Sequence, residues 1–116
     1  MKKFLDAQKT MYDIALKEIK TGGKQGHWMW YIFPQIHGLG FSVLSKHYAI
    51  KDLAEAAAFL QHPLLGSRLV SICAALLALE SKDAYFIFGS PDDAKLKCSM
   101  TLFSLVKNAD PVFQRF

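Results

Sequence analysis

From Gln25 to Ser45 the chain runs 21 residues without one Asp, Glu, Lys or Arg, and both of its tryptophans, Trp28 and Trp30, fall inside that run. Tyr31, Phe33, Phe41, His27, His37 and three glycines share it. Trp28 to Phe33 keeps no period of 2 or 3.6, so periodicity assigns it neither to a strand nor to an amphipathic helix. Pro34 disfavours a helical Phe33, and Gly38 and Gly40 mark backbone that needs positive φ or close approach. The segment therefore reads as a short helical turn near Trp28–Phe33, followed by a loop to about Gly40. A loop this apolar must be packed over, with its amides bonded to neighbouring side chains or water. Two roles stay open. It is a hydrophobic plug that nucleates the core, or it is the wall of a pocket, because Trp, Gln and His beside glycines offer stacking faces and directed hydrogen bonds.

Composition narrows the class. At 116 residues, 52% hydrophobic and 21% charged, the chain reads as one folded domain over residues 1–116 that can bury a core without staples. Cys73 and Cys98 have no spacing for zinc or redox chemistry, so they read as reduced packed thiols, which favours an intracellular compartment. The opening Met-Lys-Lys-Phe-Leu meets Asp6 at once and builds no signal-peptide core. Leu69 to Leu79 is uncharged but too short to span a bilayer. A cytoplasmic chain without membrane contact is the expectation.

The net charge of +4 is uneven: residues 1–24 carry six lysines against Asp6, Asp13 and Glu18. A basic first helix attracts phosphate-bearing partners in principle. Nucleic acid recognition asks for a clustered basic face with Arg or aromatic readout, and Arg occurs only at 68 and 115. The lysines therefore read as a solvated face, and nucleic acid is not an expected partner.

Taken in order, Lys3 to Lys20 has Leu5, Met11, Tyr12, Ala15, Leu16 and Ile19 on a helical stripe, with Gln8 inside it. Gly22-Gly23 ends that helix. Ser42 caps a short helix to about Tyr48, and Lys51 to Leu60 forms another, with Leu53, Ala56, Ala57 and Leu60 inward. His62-Pro63 starts the next helix. Leu65 to Leu79 is apolar nearly all round and belongs at the centre, with Arg68 as one of its few polar residues. Asp83 to Phe88 reads as a short aromatic helix or turn, and Ser90-Pro91-Asp92-Asp93 as a helix start. That last long helix runs to about Lys107, with Leu96, Met100, Phe103 and Val106 inward and Ser99 on the same face. Asp110-Pro111 opens a final short helix, leaving Phe113 and Phe116 exposed. That uncapped apolar end suggests a longer natural chain or a covering partner. No stretch alternates with period 2. The fold class is all-α: a compact bundle of about six or seven helices, several short, around a central apolar helix.

Chemical motifs are sparse. Gly22 to Gly26 is glycine-rich and basic but lacks the ending of a nucleotide P-loop, and Gly38-Leu39-Gly40 is only a fragment of a dinucleotide fingerprint. His27, His37 and His47 recur ten apart, which is no metal-ligand pattern on a helix, so neither metal nor cofactor is expected. Cys98, Ser99, His27 and Asp93 supply the residue types of a nucleophile triad, without geometry. Acid–base work would fall to His27 or His37, with Lys24 or Arg68 holding an anion.

The run His27-Trp28-Met29-Trp30-Tyr31-Ile32-Phe33-Pro34-Gln35, followed by Gly38-Leu39-Gly40, resembles the family called domain of unknown function 1810, some members of which are labelled calpastatin. The resemblance extends through Asp6-Ala7-Gln8 with Tyr12, Tyr48-Ala49-Ile50, His62-Pro63-Leu64-Leu65-Gly66 with Arg68-Leu69, Phe88 to Asp93, and Lys95 with Ser99 to Phe103. It implies a compact all-α domain and little about activity. Cys98 stands where the family usually has Ser, and similar proteins continue through another helix after the point where this chain stops. Within the family-like blocks, Gln8, Lys24, His27, Trp28, Trp30, Gln35, Tyr48, Arg68, Lys95 and Ser99 are the candidate ligand-binding residues. The leading expectation is a pocket, lined by the His27–Gly40 segment, for a small anionic or nucleotide-like ligand. Trp28 or Trp30 would stack, Lys24 and Arg68 hold charge, and His27 and Gln35 orient. The alternative is a protein-interaction module that docks through the basic first helix or the C-terminal phenylalanines.

Overall fold

A computed structural model describes residues 1–22, 26, 28–38, 43–79 and 92–116, with the side chain of residue 93 excepted. It contains helices α1 (Lys2–Lys20), α2 (Met29–Ile32), α3 (Val43–His47), α4 (Leu53–Gln61), α5 (Pro63–Leu77) and α6 (Asp92–Ser104), then a 3-10 turn at Pro111–Arg115. The radius of gyration, 12.9 Å, is that of a compact chain of this length. Among the described residues there is no strand; a single parallel bridge joins Ile36 to Ile50. The all-α reading stands. The expected turn at Asp83–Phe88, the Ser42 cap, and Ser90 and Pro91 at the start of α6 lie outside the described residues.

Helix α5 is the hub, packing on α1, α4 and the C-terminal turn. It buries Leu65, Gly66, Leu69, Ile72, Cys73 and Leu76. It is not apolar on every side in use, because Ser67, Ser71 and Ala74 face outward. His62 begins it as its sequence predicts: Nδ1 accepts from the Leu64 and Leu65 amides at 3.2 and 3.3 Å, and Pro63 fills the first position, where no amide hydrogen is needed. Helices α4 and α5 meet at 91°. Gly66 makes that corner possible, since a Cβ there would lie 2.0 Å from the Leu60 carbonyl oxygen. Among the described residues no single helix is long and apolar enough to cross a membrane.

Helix α1 buries Phe4, Gln8, Tyr12, Ala15 and Ile19, one residue per turn on the face toward α5 and α2. It closes on Gly22, whose φ of 88° suits a residue without a Cβ; the Gly22 amide donates to the Ile19 carbonyl at 2.9 Å. Its exposed side alternates Lys2, Asp6, Lys9, Asp13, Lys17 and Lys20, and Lys2 lies 3.9 Å from Asp6.

Three expectations about the core need correction. Leu53 is 45% exposed, because it occupies the first turn of α4, and Phe59 fills the inward position instead. Phe113, expected on the surface, is only 3% exposed and meets the Phe103 ring at 5.8 Å. Asp110 causes this by accepting from the Val112 amide at 2.9 Å, which turns the chain back onto α6. Cys98 is exposed rather than packed, whereas Cys73 is buried. Burial, helped by Asp110, pushes the Cys73 thiol well above its ordinary pKa, and its Sγ lies 3.5 Å from Met100 Sδ.

Candidate functional site

The charge-free segment folds inward. Trp28, Met29, Ile32, Phe33 and Pro34 are buried, Trp30, Tyr31 and Gln35 are half-buried, and Ile36 to Gly38 come out to solvent. Pro34 stops α2 after one turn. The next amides find partners on a distant strand-like residue: His37 N donates to Ile50 O, and Ile50 N to Gln35 O, both at 2.7 Å. This bridge holds Gln35 near Tyr48, which closes the turn after α3 by donating its amide to the Leu44 carbonyl at 3.1 Å.

One cleft opens along this wall, lined by Met29, Trp30, Phe33, Gln35, Ser45, Tyr48 and Lys95. The cleft is narrow: its free space, counted out to its open mouth, is about 250 Å³. Lys95 reaches it from α6, with Nζ 5.5 Å from the centre of the Trp30 ring and 3.6 Å from Asp92 Oδ1. The ring is therefore held under a cation on one face. Trp30 Nε1 is buried and has no hydrogen-bond partner among the described residues. A buried, unpaired indole N–H costs about 1–3 kcal/mol. Tyr48 stands against Tyr31 at 5.2 Å and His47 at 4.7 Å between ring centres.

Gln8 and Arg68 lie in a second, narrower cleft with Tyr12, Ile32 and Ile72, which shares no residue with the first. Gln8 is 2% exposed; its Nε2 donates to the Tyr31 carbonyl at 2.7 Å, and its Oε1 accepts from Arg68 at 3.3 Å. The Arg68 guanidinium covers the Tyr12 ring at 5.2 Å, while Tyr12 OH donates to the Arg68 carbonyl at 3.0 Å. Burial raises the Tyr12 pKa, against the opposing pull of Arg68, so the phenol stays a donor. This is a clamp joining α1, α2 and α5. Replacing Gln8 with Ala should cost about 1–3 kcal/mol, because the Tyr31 carbonyl loses its buried donor, and urea denaturation will measure it.

The other candidates separate by burial. Trp28 is fully buried, with Nε1 donating to Glu18 Oε1 at 3.0 Å, and shows no face to a ligand. Ser99 is also fully buried, and its Oγ has no partner among the described residues; Cys98 beside it points outward. Lys24 and His27 lie outside the described residues. So does the side chain of Asp93, and the triad drawn from Cys98, Ser99, His27 and Asp93 has no described geometry. His37 and His47 are exposed. Among the described residues no group of three His, Cys, Asp or Glu is placed to hold a metal. The structure thus gathers Trp30, Gln35, Tyr48 and Lys95 and adds Met29, Phe33 and Ser45, which were not among the candidate binding residues. Met29 and Phe33, at i and i+4 on either side of Trp30, carried the one available signal.

Comparison with known proteins agrees with this architecture. A crystal structure of the conserved hypothetical protein Rv1873 from Mycobacterium tuberculosis is similar with a TM-score of 0.93 at 45% identity, covering 97% of this chain and 80% of that one. Among curated proteins none matches the chain. The family described as "Protein of unknown function (DUF1810)" matches residues 1–116, so the chain belongs to that family.

Proposed function

We propose that the protein binds a small anionic ligand in the cleft formed by Trp30, Gln35, Ser45, Tyr48 and Lys95. One observation carries this reading: Trp30, whose buried indole N–H has no acceptor among the described residues, lines the same cleft as Lys95. An indole donor and an ammonium on two residues that line one space favour an anion, and the desolvated position of the indole strengthens the bond it would make. Tyr48, Met29 and Phe33 supply an apolar wall against which the rest of the ligand can lie. Lys95 takes the charge-holding role; Arg68 is engaged in the α1–α5 clamp. Among the described residues the cleft lining contains no histidine and no carboxylate, so binding rather than catalysis is the reading.

Docking of a protein partner has less support. The outer face of α1 interleaves acids with its lysines, and of the two C-terminal phenylalanines Phe113 belongs to the core while Phe116 is exposed as expected.

The test is a thermal-shift screen of anionic and neutral compounds on the wild type and on Lys95→Met, which keeps the side-chain stem. Anionic hits that weaken 10- to 100-fold in the variant are expected, the range of a charge-assisted hydrogen bond. Hits indifferent to the change, or none at all, would refute the reading.

A further inference from the structure

The corner between α4 and α5 is held by a titratable side chain that plays no part in the ligand cleft. We propose that His62 makes this corner acid-sensitive: the neutral imidazole caps α5, and the protonated imidazole releases its first turn.

The first amides of a helix find no partner within it. Here the Leu64 and Leu65 amides both donate to one atom, His62 Nδ1, at 3.2 and 3.3 Å. Ser, Thr, Asn and Asp are the usual residues in that position, because their oxygens accept at any pH near neutral. An imidazole accepts only through its unprotonated nitrogen, whereas the cation donates from both. One proton therefore removes the acceptor of two amides together. It also sets a positive charge against the positive end of the α5 dipole. Both changes have the same sign, and imidazole is the side chain that changes charge between pH 5 and 8. The stabilisation from the cap is thus present at the alkaline end of that range and lost as the pH falls through it.

The charged groups of the neighbouring elements are engaged elsewhere or lie apart. On the α4 side, Asp52 Oδ1 accepts from the Glu55 amide and Glu55 Oε1 from the Lys51 amide. On α5, Arg68 donates to Gln8 and covers the Tyr12 ring. From the C-terminal turn, Lys107 and Asp110 line a wide cleft with Gln61 and Gly66, and Asp110 Oδ1 accepts from the Val112 amide. Among the described residues no carboxylate forms an ion pair with His62, so nothing there rewards its protonation. The effect reaches past the two amides. The His62 amide donates to the Ala58 carbonyl at 3.1 Å, and its carbonyl accepts from the Gly66 amide at 2.9 Å, so one residue closes α4 and opens α5. Leu65, fully buried, rides on the capped turn, and loosening that turn disturbs the core beneath it.

The test follows the thermal midpoint from pH 8 to pH 5, the range of imidazole titration, for the wild type, His62→Asn and His62→Ala. Asn accepts the same amides through Oδ1 and carries no charge. Over that interval the wild type should lose about 3–6 °C more than His62→Asn, the shift that accompanies one lost cap in a chain of this size. At the alkaline end the two should agree within about 2 °C. His62→Ala, with no acceptor at any pH, should begin lower and then run parallel to His62→Asn. The other histidines titrate in all three proteins, so the difference isolates His62. In the wild type, NMR should show the Leu64 and Leu65 amide protons moving upfield together with the titrating His62 ring. Parallel curves for the wild type and His62→Asn, or Leu64 and Leu65 amides indifferent to the ring, would overturn the proposal. If neither variant folds, the NMR titration of the wild type decides.

Discussion

Gly66→Ala should destabilise the protein by about 2–4 kcal/mol, although alanine is the better helix former. Gly66 sits inside α5, and in an isolated helix the change would stabilise by about 1 kcal/mol. Here the new Cβ would lie 2.0 Å from the Leu60 oxygen and 2.9 Å from the Leu60 carbonyl carbon. Both are backbone atoms, held by the end of α4, and no side-chain rotation relieves the contact. Helix α5 would have to move away by roughly 1 Å to restore an ordinary separation, through a corner that buries Ala56, Phe59, Leu65 and Leu69. Overpacking costs about 1–3 kcal/mol and at times more, and a 2.0 Å backbone contact that no rotamer relieves lies at or above the top of that range, so about 2–4 kcal/mol remains after the propensity gain. Total stability for this length is on the order of 6–17 kcal/mol, which makes the loss large. Urea denaturation should show a lower midpoint with an unchanged slope. Ser67→Ala next door, on the exposed side, should stay within about 0.5 kcal/mol. A Gly66→Ala variant as stable as the wild type would mean that the corner is not packed as described.

Why is this glycine silent in the sequence while its neighbours are not? His62 and Pro63 announce a helix start by local chemistry: a side-chain acceptor two residues ahead of free amides, and a ring without an N–H. Such signals need nothing from the rest of the chain, and the α5 boundary is legible in them directly. The helical spacing of Leu96, Met100, Phe103 and Val106 is legible for the same reason, and all four are buried. Gly66 instead answers to a carbonyl on another helix, and only the 91° crossing gives it meaning. Phe113 misleads likewise. Near the chain end it reads as exposed, and the Asp110 turn that folds it onto Phe103 is a tertiary result.

The candidate site divides along the same line. The charge-free segment identifies one wall, because an uncharged aromatic run must be covered wherever it lies. It does not say which tryptophan is consumed by packing. Trp28 caps the start of α2 with non-helical backbone and Trp30 lies inside its one turn, so the two side chains leave on different sides. One faces Glu18 and the core, the other Lys95. Gln8 and Arg68, grouped with the pocket by residue type, meet each other across 60 positions in a clamp of their own. Lys95 joins Trp30 from a helix far along the chain, a pairing that no local pattern encodes.

The division of labour between the tryptophans gives the second large effect. Trp28→Ala should cost about 3–5 kcal/mol, the range for removing a fully buried large aromatic side chain, and lower the thermal midpoint by more than about 10 °C. The indole is completely enclosed and meets the Phe33 ring at 6.2 Å, so its loss opens a cavity beneath α2. It also removes the donor to Glu18, whose Oε1 accepts from the Gly26 amide at 2.8 Å as well. That carboxylate ties the last turns of α1 to the segment entering α2. Trp28→Phe separates the two contributions: most of the volume is kept and the N–H is lost, so about 1–3 kcal/mol is expected. Trp30→Phe, by contrast, deletes an N–H that has no described partner: relief of its desolvation cost of about 1–3 kcal/mol offsets the packing lost with the smaller ring, and the net change should stay within about 1 kcal/mol. The contrast between these two Trp→Phe variants is the decisive measurement. Equal destabilisation would show that Trp30 also belongs to the structural core, and the cleft would lose the free donor on which its chemistry depends.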